Sequence, residues 1–180
     1  ALRGGGAAAL AGCAAGPEEA PEETEALDFL PCIVSDAGGW DDKSFNEAAY
    51  EGIEEAAAEL GVEFVAVESA DENAYEPNVQ QLVDQGCDLI VTVGFLLAEA
   101  TTNAAAANPD INFAISDEFI DAPNVKPIQF NTVEAAFLAG YVAASYSETG
   151  VVGTFGGIPI PPVTIFMDGF VQGVDYYNET

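Results

Sequence analysis

The chain has 180 residues, 49% of them apolar, with 18 glycines, which is enough for one well-buried core and short for two. Against 31 acidic residues stand three basic ones, Arg3, Lys43 and Lys126, and the formal net charge of −28 repels nucleic acid and anionic membrane surfaces. The chain has no histidine, which removes Ser/His/Asp and Cys/His catalysis together with the commonest metal ligand, so neither a cofactor nor a metal site is expected.

In chain order, the first segment is RGGGAAALAGC, an Arg followed by small and apolar residues in a run too short to span a bilayer. Its shape is that of the tail of a secretory signal, and Leu10, Ala11, Gly12 and Cys13 match the lipobox in which the Cys is lipidated. Residues 1–13 are therefore expected to be a partial signal peptide with lipobox. Residues 14–27, rich in Pro, Glu and Ala, have too little apolar bulk to pack and read as an acidic flexible tether. An acidic, solvated coat of this size also suits a protein kept in strong salt, so a salt-loving source is expected.

From Leu27 the pattern alternates between strand and helix. LDFLPCIVS reads as a buried strand, and 44–60 as a helix with Phe45, Ala49, Ile53, Ala56 and Leu60 on its apolar side and glutamates opposite. Ser44 and Glu47 have the spacing of a capping box. VEFVAVES follows as a strand, 73–85 as a helix ending at Gly86, with Pro77 moving its start toward Glu76, and DLIVTV as a strand. Then come a helix over 96–107 and the strands INFAIS and VKPIQF. Helices between short buried strands predict a right-handed, doubly wound parallel sheet over 28–130. Cys32 and Cys87 fall in or beside strands, where a free Cys is most often a small buried apolar residue. Residues 131–180 read as the start of a second α/β lobe: a helix capped by Asn131 with Glu134, the strand VVGTF ending at Gly156 and Gly157, and one more helix. A lobe of one strand and two helices cannot cover both faces of a sheet, so truncation is expected, with exposed apolar surface at Phe137, Tyr141, Phe155 and Phe166.

Ligands of open parallel sheets bind at the carboxyl ends of the strands. Three such ends carry unusual residues here: Asp36 after the first strand, Gly94 and Phe95 after the third, and Asp117 after the fourth. The connection SDAGGWDDKSFNE adds Trp40, Phe45 and Asn46. An aromatic face beside carboxylates suits a flat ring bearing hydroxyls, because the ring stacks and the hydroxyls donate to Asp oxygens. Phosphate is a poor guest, with Lys43 alone to answer it. An enzyme using Asp36 and Asp117 as acid and base lacks a nucleophile, a phosphate loop or a metal cluster. A DNA-binding regulator would carry a basic N-terminal helical domain, where this chain has an acidic segment.

The stretches SDAGGWDDKSFNEAAYEGIEEAAAELGV, ES, NVQQLVDQGCDLIVTVGF, NPDINFAISD and EAAFLAGYVAASYSETGVVGTFGG occur in this order. Together they resemble the basic membrane protein (BMP) family of ABC-transporter substrate-binding lipoproteins, which includes purine nucleoside receptors. The resemblance runs from about residue 28 to the end of the chain. It implies a type I periplasmic-binding-protein fold whose two lobes close on a ligand, no enzymatic activity, and delivery of a nucleoside, most naturally a purine, to a permease and its ATPase. Carried over residue by residue, it implies that Phe45 stacks on the base, that Asp36 and Asn46 line the site, that Asp117 takes the ribose hydroxyls, and that Gly94 and Phe95 form its turn. Glu47 stands where Gln is common, and Trp40 is a variable position. The implied location is the outer face of the cytoplasmic membrane or the periplasm, held by a lipid on Cys13. A receptor for a sugar or another hydroxylated ligand of the same fold is the alternative.

Overall fold

The computed structural model describes residues 27–180; the expected lipobox at Cys13 and nearly all of the expected tether lie outside the described residues. Five strands form one sheet: β1 (Pro31–Val34), β2 (Val65–Val67), β3 (Leu89–Val93), β4 (Asn112–Ser116) and β5 (Val125–Ile128). All are parallel, in the order β2-β1-β3-β4-β5. Helix α1 (Phe45–Leu60) carries the chain outward from β1 to β2. Helix α2 (Tyr75–Asp84) brings it back across β1 to β3, and α3 (Ala98–Ala107) leads on to β4. The reversal of direction between β1 and β3 places α1 on one face of the sheet and α2 and α3 on the other.

This sandwiching explains why β1 is buried at every residue and reads as a continuous apolar run. Cys32 and Val34 join Ile90, Phe113, Ile115, Leu82 and Leu97 in the larger core cluster, while Ile33 joins Ile53 and Val93 beneath α1. Strand β5 lies at the edge of the sheet, and there Pro127 is tolerated because an edge strand leaves one side of its backbone unpaired. In α2, Pro77 falls in the first turn, where its missing N–H costs no helical bond, as its position predicts. The buried side of α1 runs through Asn46, Ile53 and Ala57; Leu60, expected to be inside, is 52% exposed at the last turn.

The cysteines depart from expectation. Cys32 and Cys87 are joined in a disulfide, with Cα atoms 6.0 Å apart and 55 residues between them in sequence. Two cysteines so distant in the chain are read apart along the sequence, but the crossover by α2 brings the turn before β3 beside β1. Closing a loop of that length removes conformational freedom from the unfolded chain and stabilises the fold by about 4 kcal/mol on the chain-entropy view.

The second half of the chain also differs. Helix α4 (Thr132–Tyr146) and helix α5 (Pro161–Glu179) form as expected, but residues 151–155 pair with no strand. A lone strand has no ladder to join, and Val151 and Phe155 stand 77% and 94% exposed. The Asn131 side chain makes no capping hydrogen bond. Helices α4 and α5 pack on each other at Gly140, Gly169 and Gly173, where an added Cβ would overlap the backbone of the facing helix. Phe137 is half-buried against Tyr176, whereas Tyr141 and Phe166 are open to solvent, as expected of them.

Glu47, Glu51, Glu54, Glu55 and Glu59 crowd the outer side of α1, and both ion pairs among the described residues, with Asp41 and with Glu47, use the same cation, Lys43. Repulsion of this kind between exposed charges is screened by salt. The unfolding midpoint is therefore expected to rise between low and molar salt; identical unfolding curves at the two concentrations would remove the electrostatic account of the acidic coat.

Candidate functional site

The switch point between β1 and β3 brings the sequence-predicted residues to one edge of the sheet. Strand β1 delivers Ser35 and Asp36. Ser35 is fully buried; its N–H donates to Val67 O at 3.0 Å, and its hydroxyl donates to Asp36 O at 2.9 Å. The Asp36 carboxylate is then held from two sides: Oδ1 accepts from Gly38 N at 2.9 Å and from the Asn46 amide nitrogen at 2.7 Å. Asn46, in the first turn of α1, is only 2% exposed, and its own Oδ1 is buried with no partner among the described residues.

Gly94 supplies the facing wall from the end of β3. It adopts φ +102 and ψ 150, a conformation essentially confined to glycine, and a Cβ there would sit 3.2 Å from Asp36 Oδ2 and 3.7 Å from Phe45 Cε1. The close approach thus lets the β3 turn pass beneath the carboxylate and the edge of the Phe45 ring. Phe45 is half-buried against the Ile33, Ile53 and Val93 cluster. Gly94 N donates to Ser116 O at 3.2 Å, which places Asp117 on the next turn of the same edge. Phe95 opens the 3-10 turn (Phe95–Leu97) that follows and is half-buried.

Asp117 is one of two non-glycine residues with positive φ among the described residues, at +64. Asp tolerates this left-handed conformation better than most residues. Burial raises its carboxyl above the ordinary carboxylate value, and the neighbouring Glu118 pushes it further. It lines a cleft of about 280 Å³ with Phe119, Phe130, Thr132 and the Pro161–Pro162 start of α5. Larger grooves run between α2 and α3, lined by Glu76, Pro77 and Ala100, but they contain none of the residues singled out above.

The capping box expected at Ser44 and Glu47 is not formed: Ser44 makes no side-chain cap bond. Asp42 does that work instead. Its carboxylate accepts from Asn46 N and Ser44 N, each at 2.9 Å, and from Glu47 N at 3.1 Å. The two spacings compete for the same N–H groups, and Asp42 brings a full charge to the positive end of the helix. The backbone N–H of Asn46, helped by those of Glu47 and Ser44, holds its carboxyl below the ordinary value despite some desolvation.

Three further residues escape sequence reasoning. Glu68, beyond β2, accepts from Trp40 N at 2.8 Å and lies against Gly39. Tyr75, 5% exposed, accepts from Ala37 N at 3.3 Å. Asn78 donates to Glu68 O and to Ser69 Oγ, at 3.2 and 3.0 Å. Together they bind the 36–40 loop to the start of α2. Glu68, in ES, and Asn78, which opens NVQQLVDQGCDLIVTVGF, carried a signal only as part of the motif order; nothing in the spacing of Tyr75 marks it. The Trp40 ring packs on Tyr50 at 5.3 Å, and Tyr50 on Phe64 at 5.6 Å.

Residues 30–180 match the Bmp family, described as ABC transporter substrate-binding protein PnrA-like. The chain belongs to that family, a family of binding proteins rather than enzymes. It is 38% identical over 146 residues to basic membrane protein A of Borreliella burgdorferi, covering 79% of this chain and 43% of that protein. It is 35% identical over 171 residues to the ABC transporter nucleoside-binding protein BmpA of Lactococcus lactis, covering 92% and 49%. A solute-binding protein of an ABC transporter system from Aeropyrum pernix aligns with TM-score 0.74 and 33% identity, over 84% of this chain and 44% of that one. The fold is thus the expected type I binding-protein lobe, and the chain spans less than half the length of these relatives. Among the described residues, no helix is long and apolar enough to cross a membrane.

Gly94→Ala should cost roughly 1–3 kcal/mol through its backbone conformation and push Asp36 aside; a variant as stable as the parent would show that the close approach is not required. Because the Asp42 value is lowered on folding, its contribution is present above the ordinary carboxylate value of about 4 and is lost as pH falls through the lower folded value. Asp42→Asn should therefore lower stability at neutral pH and reduce the steepness of acid unfolding, both read by circular dichroism.

Proposed function

We propose that the chain is the first ligand-binding lobe of a substrate-binding lipoprotein of an ABC importer, anchored through Cys13, and that it captures a nucleoside for a membrane permease and its ATPase. The observation that carries the reading is the arrangement at the switch point, where Asp36, Asn46, Gly94 and the Phe45 ring meet in one crevice. The family supports the transport role, and the Lactococcus relative named as nucleoside-binding supports the ligand class.

In this reading Phe45 offers its exposed side to the base, and Asp36 and Asp117 accept hydrogen bonds from hydroxyls. Asn46 Oδ1 is an acceptor still free to bind a donor after a small rearrangement. Gly94 and Phe95 shape the floor. Trp40 enters as the ring that anchors the loop on Tyr50. A phosphate would meet carboxylates, with the donors at the start of α1 already taken by Asp42 and two prolines at the start of α5. The ligand is thus an uncharged nucleoside, a purine in the simplest case.

Calorimetric titration of the full-length protein with inosine, its dideoxy form, hypoxanthine and inosine monophosphate tests the assignment. Phe45→Ala should lose roughly 1–3 kcal/mol against every ligand bearing the base. Asp117→Asn should lose roughly 1.5–3 kcal/mol against inosine and little against the dideoxy form or the free base. Equal losses on inosine and its dideoxy form would refute the ribose role. With its value raised, Asp117 takes up a proton earlier than an ordinary carboxylate as pH falls, so inosine affinity should weaken in mildly acid solution and Asp117→Asn should flatten that dependence.

Placement is tested separately. Cys13→Ser should release the protein from the membrane fraction without changing affinity, and an unchanged membrane location would refute the lipid anchor.

A further inference from the structure

We infer that Cys32 and Cys87 are a maturation site: the chain is oxidised by a disulfide-bearing thiol oxidoreductase outside the reducing cytoplasm, before its first lobe closes. Both residues lie inside the larger core cluster, at 0% and 2% exposure, among Val34, Val79, Leu82 and Ile90. No protein oxidant can reach sulfurs so placed once α2 and α3 have covered that face. The bond must therefore form while the α2 crossover is still open. Intracellular thiols are kept reduced, whereas exported chains meet such oxidants as they emerge.

The exchange balances simply. One cysteine thiolate attacks the oxidant's disulfide to give a mixed disulfide, and the other then displaces the oxidant. The two electrons and the two thiol protons leave with the oxidant as its dithiol. The closed loop contains α1, β2, α2 and the whole 36–46 segment of the candidate site. The bond itself sits toward the amino ends of β1 and β3, about 13 Å of strand before Asp36, on the rise of an extended chain. It should thus decide whether the lobe folds without setting how tightly the folded lobe grips its ligand, and the thiol-labelling and melting readouts stand whether or not the nucleoside assignment holds.

The experiment uses the full-length exported protein: wild type from the membrane fraction of its host, and Cys13→Ser, which lacks any competing pairing, from the released fraction outside the cytoplasm. Unfolded without reductant and treated with a maleimide, Cys32 and Cys87 should stay unlabelled and appear in one cross-linked proteolytic peptide. Unfolded and refolded in excess reductant, the protein should melt about 10 °C lower or fail to refold. The Cys32→Ala/Cys87→Ala variant, where it folds, should show the same loss with inosine affinity within about twofold of the parent. Free thiols at both positions in the exported protein would overturn the inference, and so would reduced protein that refolds to the parent's melting temperature.

Discussion

The structure turns on the Asp36 carboxylate. It sits where a parallel sheet reverses its winding order, accepts hydrogen bonds from its own loop and from the first turn of α1, and is approached by the bare Cα of Gly94. Three segments far apart in sequence are thereby tied at one point: the end of β1, the start of α1 and the end of β3. A carboxylate satisfied on one oxygen by fixed donors keeps its second oxygen free of competing neighbours. Without the reversal between β1 and β3, α2 and α3 could not lie opposite α1, and no crevice would open there.

Charge is handled locally around that point. Asp42 satisfies the exposed N–H groups at the start of α1, so the helix end that could attract an anion is already neutralised from within the chain. Glu68 and Tyr75 take the backbone N–H groups of Trp40 and Ala37 and fix the loop from the α2 side. What remains open to a ligand is one aromatic face and carboxylate oxygens, with the buried Asn46 amide oxygen behind them. Such a set accepts hydrogen bonds and stacks; it offers little to a negatively charged guest.

Much of this was legible in the sequence. Alternating apolar runs and amphipathic stretches gave the order of strands and helices, because the central strands are buried on both faces and the helices that cover the sheet on one. The strand-end residues Asp36, Gly94 and Asp117 stood out because each follows a strand at the carboxyl end of a parallel sheet, where ligands bind. Contacts across the sheet were not legible. The Cys32–Cys87 bond depends on a crossover that sequence distance conceals, and the cap at α1 depended on a choice between Ser44 and Asp42 that only loop geometry makes. Tyr75 and Glu68 act through single atoms reaching a neighbouring backbone, and periodicity carries no trace of that. Residues 151–155 have the composition of a strand, but a strand needs a partner, and the described residues supply none.

The central claim is that the ligand sits at the β1/β3 switch point. Hydrogen exchange of the full-length protein with and without saturating inosine tests it most directly. The account predicts new protection at 36–46, at 94–97 and around Asp117, with little change along the groove between α2 and α3. Protection confined to that groove, with the 36–46 segment exchanging at its ligand-free rate, would contradict it.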